Sequence, residues 1–466
     1  MLNNKVLNSF SLTMIAIVAI IDLRGIPLMA SYGLAAIFFY SVGALLFLIP
    51  SGLVCAELST NLSEAGGMYT WVRHAFGDKF GFLAIWLEWL NNVVSYPASL
   101  SFIVITFAYL FDPHFAEHKV YVFIMTLFVL WITTIFSFLG IRASSRLSTV
   151  ASLFGVILPA LVIAVLGCTW VLKSNPVQIN LQWKQLIPNF HQINIAFFAS
   201  TLLGYAGMQV IAFHSQNVKN PLRDYPRSIL FSMIIIFFIT VGASLAVSVV
   251  VPHDQLNLIT GLADGFNRFF TAFNVPWATP ILLVLILLSA FATLSTWFLG
   301  PARGLAVAAQ NGFLPIFFAQ TNKKQAPHFI LILQGIIAGF FCAVFLFMPD
   351  VSSGFWLLMN LSSQSTLIMY ALIFSAAIKR RYLQNSSAVN GAYKIPGGKG
   401  MIWLVAGMGI LACISALIAS VIPPKSISSQ HILHYELILG LSNFVFLSIP
   451  FGICYFSRRA RAEFSY

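Results

Sequence analysis

Ionisable side chains are scarce within the apolar parts of this chain, and three of them stand out. Asp22 and Arg24 lie in the stretch MIAIVAIIDLRGIPLMASYG (14–33), and Glu88 lies in IWLEWLNNVVSYP. A charge at the centre of a membrane helix costs roughly 2.5–3.5 kcal/mol on insertion scales, so such residues are candidates for function. Arg24 suits a carboxylate, because a guanidinium matches it with two parallel hydrogen bonds. Alternatively, Asp22 and Arg24 neutralise each other and fix the local backbone.

Glu88 could carry a proton, since a buried carboxyl without a charged partner favours its neutral form. The alternative places Glu88 at the inner edge of its helix, hydrated or bonded to a neighbour. Deeper in the same helix, Tyr96 precedes Pro97. The proline frees a backbone carbonyl there, and the tyrosine can face a polar pathway.

Two long apolar stretches are interrupted near their middles by residues that disfavour a helix. The first, at 14–33, contains DLRGIP, and the second, IAFFASTLLGYAGMQVIAF at 195–213, contains GYAG. Backbone groups left unpaired at that depth are tolerated only where they line a cavity. Half-helix N-termini suit a carboxylate and freed carbonyls suit an ammonium group, so the pair predicts a receptor for an α-amino acid. The alternative is that the two glycines of GYAG allow close packing between helices.

Two aromatic side chains can close over such a site. Tyr205 lies within GYAG, and Trp297 lies within STWFLGPARG. An aromatic face attracts an ammonium group, so both residues can contact a bound amine. Alternatively, they are core or lipid-facing aromatics, because 15% of the chain is aromatic.

The elements that position these residues are membrane-spanning helices. Of the 466 residues, 59% are hydrophobic and 8% are charged, whereas a soluble domain carries about 25% charged residues. The sequence therefore predicts an all-α membrane protein with twelve transmembrane helices of about 20 residues or more each. The apolar runs lie near 10–32, 34–56, 80–111, 119–139, 147–172, 193–213, 228–251, 278–300, 329–348, 354–378, 401–422 and 434–456.

The net charge of +12 is distributed unequally between the loops. With the N-terminus placed in the cytoplasm, 19 of the 25 Lys and Arg residues fall in cytoplasmic segments, five in external loops and one, Arg24, within the membrane. This bias follows the positive-inside rule. It predicts a multi-pass protein of a bacterial inner membrane with both termini in the cytoplasm, in contact with lipid and not with nucleic acid.

We expect a single transmembrane domain over residues 1–466. Five spans cover about 10–172 and five more cover about 193–378. Because five is odd, a second copy of the same fold would be inverted, and the broken helices 1 and 6 would meet antiparallel at the midplane. Two C-terminal helices, at about 401–456, lie outside this repeat. The segment SEAGGMYTWVRHAFG predicts an amphipathic helix on the inner surface, either a connector or a moving gate.

Neither a cofactor nor a metal is expected. The five cysteines form no C-x-x-C pair, so they are interpreted as apolar packing residues. The stretch GAYKIPGGKG (391–400) lacks phosphate-loop spacing. No paired carboxylates, metal triad or nucleophile–base set occurs in the spans, so an enzyme is not expected. The first apolar run is too long for a cleavable signal peptide.

Six stretches, in order along the chain, carry a resemblance to a known family. They are DLRGIPLMASYGLAAIFFY, LLFLIPSGLVCAELST followed by EAGGMYTWV, FGFLAIWLEW, GYAGMQVIAFHSQNVKNPLRDYPRSI, GPARGLAVAAQNGFLP and MNLSSQSTLIMY. With them the chain resembles the amino acid–polyamine–organocation superfamily over nearly its whole length. Within that superfamily it is most similar to the glutamate/GABA antiporter-like permeases.

The resemblance implies the five-plus-five inverted-repeat fold with two further helices, and alternating access around a central site. It also implies an amino acid substrate, often exchanged for its decarboxylation product. By position, Gly25 and Ile26 fall at the first break with Arg24, and Trp297 falls where relatives place an aromatic beside the substrate. Gln209 stands where relatives commonly have a glutamate, which weakens any expectation of proton coupling through that position.

The sequence thus predicts an amino acid antiporter with an amino acid, and in exchange an amine, as its small-molecule partners. A proton-coupled symporter with Glu88 as the proton carrier is the alternative. Sodium coupling stays open because Ser289 and Thr293 could supply oxygens, and a non-transporting sensor is disfavoured by the short cytoplasmic loops. The candidate substrate-binding residues are Asp22, Arg24, Gly25, Ile26, Tyr96, Gly204, Tyr205, Ala206, Gly207, Gln209 and Trp297.

Overall fold

The computed structural model describes most of the chain, and the regular elements in that part are helical. The described residues are 7–21, 23–62, 64, 66–112, 115, 118–140, 147, 149–188, 201–256, 260–348, 351–383, 391–421 and 432–463. Within them the extended pairing consists of one isolated bridge between Leu7 and Val218. The prediction of an all-α protein is therefore confirmed for these residues.

The helices vary in length from one and a half turns to nine, and many exceed what a bilayer requires. In chain order they are α1 (Ser9–Ile20), α2 (Gly25–Ala30), α3 (Ala35–Asn61), α4 (Met68–Phe76), α5 (Asp78–Tyr109), α6 (Lys119–Ser137), α7 (Thr149–Leu172), α8 (Pro221–Val250), α9 (Gly261–Ala272), α10 (Ala278–Gln310), α11 (His328–Phe347), α12 (Val351–Leu383), α13 (Gly398–Val421) and α14 (Ile432–Glu463).

Nine of these helices, within the described ranges, are long and apolar enough to cross a membrane: α3, α5, α6, α7, α8, α10, α11, α12 and α13. Three further apolar helical stretches are shorter, namely Ser9–Ile20, Thr201–Phe213 and Gly440–Tyr455. The chain is therefore a multi-pass membrane protein. The count of twelve crossings, the inverted repeat and the single domain stay predictions.

The first predicted interruption coincides with the end of α1. The helix stops at Ile20, and Ile21 has an extended conformation with φ −69° and ψ 104°. A new helix, α2, begins at Gly25. Pro27 lies in the first turn of α2, where the amide hydrogen that proline lacks is not needed. Ile21, Leu23 and Arg24 are therefore not helical, and Asp22 lies outside the described residues.

The second interruption follows a short helical stretch at 201–203. Gly204 and Tyr205 form a turn, and a 3₁₀ helix runs over Met208–Asn217. Gly207 has φ +137°, and a Cβ atom there would lie 2.8 Å from Ile20 Cγ1 and 3.1 Å from the carbonyl oxygen of Ala19. Glycine is required at this point because its bare backbone rests against the end of α1, where the two interrupted segments meet.

The core is built around α5 and α12. In an apolar stretch of 18 residues within each of these two helices, 78% of the residues are buried inside the protein. The corresponding share in α6 is 33%. Large apolar side chains such as Phe128 on α6 and Phe444 on α14 are exposed, at 59% and 71%. Because such surfaces are stable in lipid, α5 and α12 are central helices and α6 lies at the periphery.

The amphipathic segment predicted before α5 forms α4. Gly67 and Gly77, with φ +55° and +87°, flank the helix at its two ends. Its apolar face, including Met68, Trp71 and Val72, is buried. The helix therefore packs against the rest of the protein, and its role as connector or gate stays open.

Candidate functional site

A cavity of about 150 Å³ lies where the two interrupted segments meet the central helices. Its walls come from the end of α1 and the segment after it, from α5, α10 and α12, and from Leu203 and Ala206 of the second interruption. Pockets for drug-sized ligands usually measure about 300–1,000 Å³. The volume therefore suits a molecule of about the size of an amino acid.

Arg24 provides the cationic group of this cavity. It is half-buried, lies one residue before α2 and lines the cavity with its neighbour Leu23. Its Nη1 donates a hydrogen bond to Ser99 Oγ on α5. This bond connects the Arg24 guanidinium to α5.

One face of α5 supplies a polar stripe. Asn92, Ser95, Tyr96 and Ser99 follow the i, i+3, i+4, i+7 spacing of one helix face, and all four line the cavity. Asn91, next to the stripe, also lines it. The stripe gives the cavity uncharged hydrogen-bonding groups along one wall.

Tyr96 and Trp297 fix that wall against α10. The Tyr96 hydroxyl donates to the carbonyl oxygen of Trp297 at 3.1 Å. The Tyr96 ring stacks on Phe298, with ring centroids 3.8 Å apart. Tyr96 and Trp297, which the sequence analysis singled out separately, both line the cavity.

The end of α1 is held by side chains from α10. Trp297 Nε1 donates to the carbonyl oxygen of Ala19 at 3.1 Å, and Thr293 Oγ1 lies 3.1 Å from the carbonyl oxygen of Val18. A helix end leaves its last carbonyls without partners, and a buried carbonyl without one is costly. These two bonds explain how α1 can stop inside the protein.

At the second interruption the four residues of GYAG are placed differently. Ala206 lines the cavity, whereas Gly204, Tyr205 and Gly207 are absent from its lining. The Tyr205 side chain is fully buried, and its hydroxyl donates to the carbonyl oxygen of Tyr40 at 3.3 Å. The Tyr205 ring is therefore packed against α3 in this conformation.

Glu88 and Gln209 lie next to the cavity in a buried polar network. Gln209 Nε2 donates to Glu88 Oε1 at 3.0 Å, and Gln209 Oε1 accepts a bond from the Tyr370 hydroxyl. The Tyr370 hydroxyl in turn accepts from the Gly207 amide at 2.7 Å. Glu88 Oε2 is buried with no hydrogen-bond partner in the part of the chain that the structure describes. Glu88 is thus shielded from solvent and, as one of the alternatives allowed, bonded to a neighbour.

Glu88, Gly207 and Tyr370 of this network each lie close in sequence to a residue that lines the cavity. Glu88 precedes Asn92 by one helical turn, and the Asn92 amide donates to the Glu88 carbonyl oxygen at 2.7 Å. Gly207 follows Ala206, and Tyr370 follows Thr366 by one turn. The network therefore forms a second layer behind the cavity wall, linking α5, α12 and the second interruption.

Of the remaining predicted residues, two lie outside the cavity lining and two within it. Gly25 begins α2 with no atom within 4 Å of where a Cβ would be, and Ile26 is buried in the core. Neither lines the cavity. Ser289 and Thr293 do line it, and both hydroxyls donate to backbone carbonyls. Among the described residues, no group of three His, Cys, Asp or Glu side chains is arranged as metal ligands.

Several lining residues had not been singled out in the sequence. On α5 these are Asn91, Asn92, Ser95 and Ser99, and on α12 they are Ser362, Ser363 and Thr366. The helical spacing of the polar residues on α5 is a signal that could have identified them. The hydroxyls of α12 lie within MNLSSQST, which was noted only as a matching motif.

Comparison with known proteins agrees with this architecture. A family model described as amino acid permease matches residues 7–442. An uncharacterized transporter of Legionella pneumophila is 40% identical over 96% of each chain. A glutamate/gamma-aminobutyrate antiporter of Lactococcus lactis is 27% identical over 97% of this chain and 90% of its own. A probable agmatine/putrescine antiporter of the same species is 25% identical over 84% and 83%. The chain belongs to the amino acid permease family and is a multi-pass membrane transporter.

Proposed function

We propose that the chain is an amino acid antiporter of a bacterial inner membrane that works by alternating access around the described cavity. The observation that carries the proposal is the position of this cavity. It lies at the end of α1, beside Arg24, and Ala206 of the second interruption contributes to its wall. Cavities next to interrupted membrane helices are where transporters bind substrates.

The chemistry of the cavity fits an α-amino acid. The substrate carboxylate would bind the Arg24 guanidinium, which is shaped for a bidentate bond. The substrate ammonium would lie toward the carbonyls freed near Ala206, beneath the Trp297 ring.

The proposal includes the predicted arrangement of the membrane-spanning helices. Twelve crossings in a five-plus-five inverted repeat would place the two interrupted segments antiparallel at the midplane, and their contact at Gly207 and Ile20 supports this arrangement. The distribution of basic residues supports cytoplasmic termini. Rocking of one group of helices against the other would open the cavity to each side in turn.

A second candidate function is proton-coupled symport. It is supported by the position of Glu88, a carboxyl buried behind the cavity wall whose Oε2 has no hydrogen-bond partner among the described residues. Transport by Glu88→Gln would then no longer respond to a pH gradient, whereas an antiporter that does not use Glu88 would be unaffected in this respect.

Counterflow in proteoliposomes tests the main proposal. Purified protein would be reconstituted with or without a mixture of L-amino acids inside, and uptake of labelled L-glutamine, L-glutamate and L-leucine would be followed. An antiporter takes up label only into loaded vesicles. Uptake into empty vesicles driven by a pH gradient would favour the symporter, and the absence of uptake of any amino acid under both conditions would contradict both.

A further inference from the structure

The hydrogen-bond donors in the cavity wall are almost all in use within the protein. On α5, Ser95 Oγ donates to the Asn92 carbonyl oxygen at 3.1 Å, and the Tyr96 hydroxyl donates to a carbonyl on α10. On α10, Ser289 Oγ donates to the Ile286 carbonyl oxygen at 2.8 Å, and Trp297 Nε1 donates to α1. Each of these groups therefore turns its hydrogen away from the cavity.

The wall formed by α12 follows the same pattern. Ser362 and Ser363 donate to carbonyls of their own helix at 2.9 and 2.7 Å. Thr366 donates to the Ser362 carbonyl oxygen at 3.2 Å. A hydroxyl that has used its single hydrogen keeps its lone pairs as acceptors. The α12 wall therefore presents hydrogen-bond acceptors to a bound molecule.

Two asparagine side chains, Asn91 and Asn92, also line the cavity. The Asn92 side-chain nitrogen donates to the Glu88 carbonyl oxygen at 2.7 Å, so Asn92 Oδ1 is left as an acceptor. Asn91 lines the cavity with a whole carboxamide, which can both donate and accept. Arg24 is the one charged residue among the described lining residues. Among the described lining residues, the cavity thus combines one cation with many uncharged acceptors.

We propose that the preferred substrate is an amino acid with an uncharged side chain that donates hydrogen bonds, of the carboxamide class, and not an acidic amino acid. This proposal depends on the amino acid transport function proposed above. Arg24 would take the substrate α-carboxylate. The two N–H groups of the side-chain carboxamide would donate to Asn92 Oδ1 and to one hydroxyl oxygen of α12, and its oxygen would accept a bond from the Asn91 amide.

The other substrate classes fit this inventory less well. An acidic side chain would bring a second carboxylate against acceptor lone pairs, with Arg24 already paired. A cationic side chain would meet no acidic partner among the described lining residues. An apolar side chain would leave Asn92 Oδ1 and the lone pairs of the hydroxyl oxygens without a donor. A site built to bond a polar group rejects an analogue that lacks this group.

Binding to the purified full-length chain tests the proposal with ligands of nearly the same shape. L-glutamine, L-glutamate, L-methionine and L-lysine would be titrated near pH 7.5 by calorimetry. We expect the Kd for L-glutamine to be lower than for each of the other three by about tenfold or more. Counterflow with the same four ligands would show whether transport follows the same order.

Substitution of Asn92 tests the structural basis. In Asn92→Leu the ratio of the L-glutamate Kd to the L-glutamine Kd should fall toward one, because an acceptor for the carboxamide is removed. Gln185→Leu, an amide-to-leucine change at an exposed position outside the cavity, should keep the ratio of the unaltered protein. Melting temperatures without ligand would establish that both variants are folded.

The outcomes separate this proposal from the one it depends on. Equal or tighter binding of L-glutamate than of L-glutamine would overturn the carboxamide proposal while leaving amino acid transport intact. So would tighter binding of L-lysine or L-methionine, or an unchanged ratio in Asn92→Leu. If no amino acid bound or moved, the proposed transport function itself would be contradicted.

Discussion

Gln209 holds the buried carboxyl of Glu88 through a hydrogen bond of 3.0 Å, and both side chains are fully shielded from solvent. The bond crosses from the second interrupted segment to α5, between residues 121 positions apart. Through its oxygen, Gln209 also accepts from the Tyr370 hydroxyl on α12. A single amide thus links the central helices α5 and α12 to the 3₁₀ helix of the second interrupted segment.

Gln209→Ala is expected to lower the free energy of unfolding by about 1–3 kcal/mol, because buried partners on both sides would lose their bonds. Thermal unfolding in detergent would measure the loss. Ser137→Ala is the matched control: Ser137 is also buried, but it bonds only to its own helix at Thr133. A loss no greater than that of the control would show that the network contributes little to stability.

Arg24→Ala is expected to abolish exchange in proteoliposomes while the protein stays folded, because the substrate carboxylate loses its cation. Arg24→Lys should keep only part of the activity, since an ammonium cannot form the two parallel bonds of a guanidinium. Arg268→Ala serves as the control, because this half-buried arginine bonds to Gln255 and does not line the cavity. Normal exchange by Arg24→Ala would remove Arg24 from the substrate site.

Substituting alanine for each of two glycines at the interruptions should change the stability of the protein in different ways. Gly207→Ala would place a Cβ 2.8 Å from Ile20 Cγ1 at a φ of +137°, so we expect a loss of stability of about 1–3 kcal/mol. Gly25→Ala would meet no atom within 4 Å and begins a helix. It should be neutral or stabilising by about 0.4–1 kcal/mol.

Melting curves of the two glycine variants would give the comparison directly. Equal melting temperatures for Gly207→Ala and the unaltered protein would mean that the backbone at Gly207 is not pressed against α1. A large loss in Gly25→Ala would mean that the start of α2 needs a glycine for a reason other than space.

A buried ion pair connects α3 to the C-terminal end of α12. Arg381 at the end of α12 binds both carboxylate oxygens of Glu57 on α3, at 2.9 and 2.6 Å, and the Ile395 amide donates to the same carboxylate at 2.8 Å. Both side chains are nearly inaccessible, at 11% and 5%. The pair therefore joins α3, α12 and the segment before α13.

Arg381→Met should destabilise the protein by about 3–5 kcal/mol, because it leaves a buried carboxylate without its cation. Asp78→Asn breaks the exposed pair with Arg73, whose side chains are 40% and 48% accessible, and should cost about 0–1 kcal/mol. Chemical denaturation in mixed micelles would compare the two. Similar costs for both variants would show that burial does not strengthen the first pair.

Local sequence patterns predicted much of the framework. Apolar runs identified the long helices, and DLRGIP marked the end of α1 at Ile20 and the start of α2 at Gly25. The same reasoning pointed to Arg24, Tyr96 and Trp297, all of which line the cavity. These features depend on hydrophobicity, on charge in an apolar setting and on residues that disfavour a helix, all of which act within a few turns of the chain.

Side-chain neighbours across helices were decided only by the tertiary structure. Tyr205 lies in the predicted interruption, yet it packs on Tyr40 and is absent from the cavity wall. Gln209, which the sequence placed with the substrate, binds Glu88 instead. The sequence by itself determined that the chain is built from long apolar helices and where two apolar stretches are interrupted. Which polar groups meet depends on how α5, α10 and α12 rotate and pack against each other, and no local pattern encodes the relative rotation of helices that lie hundreds of residues apart.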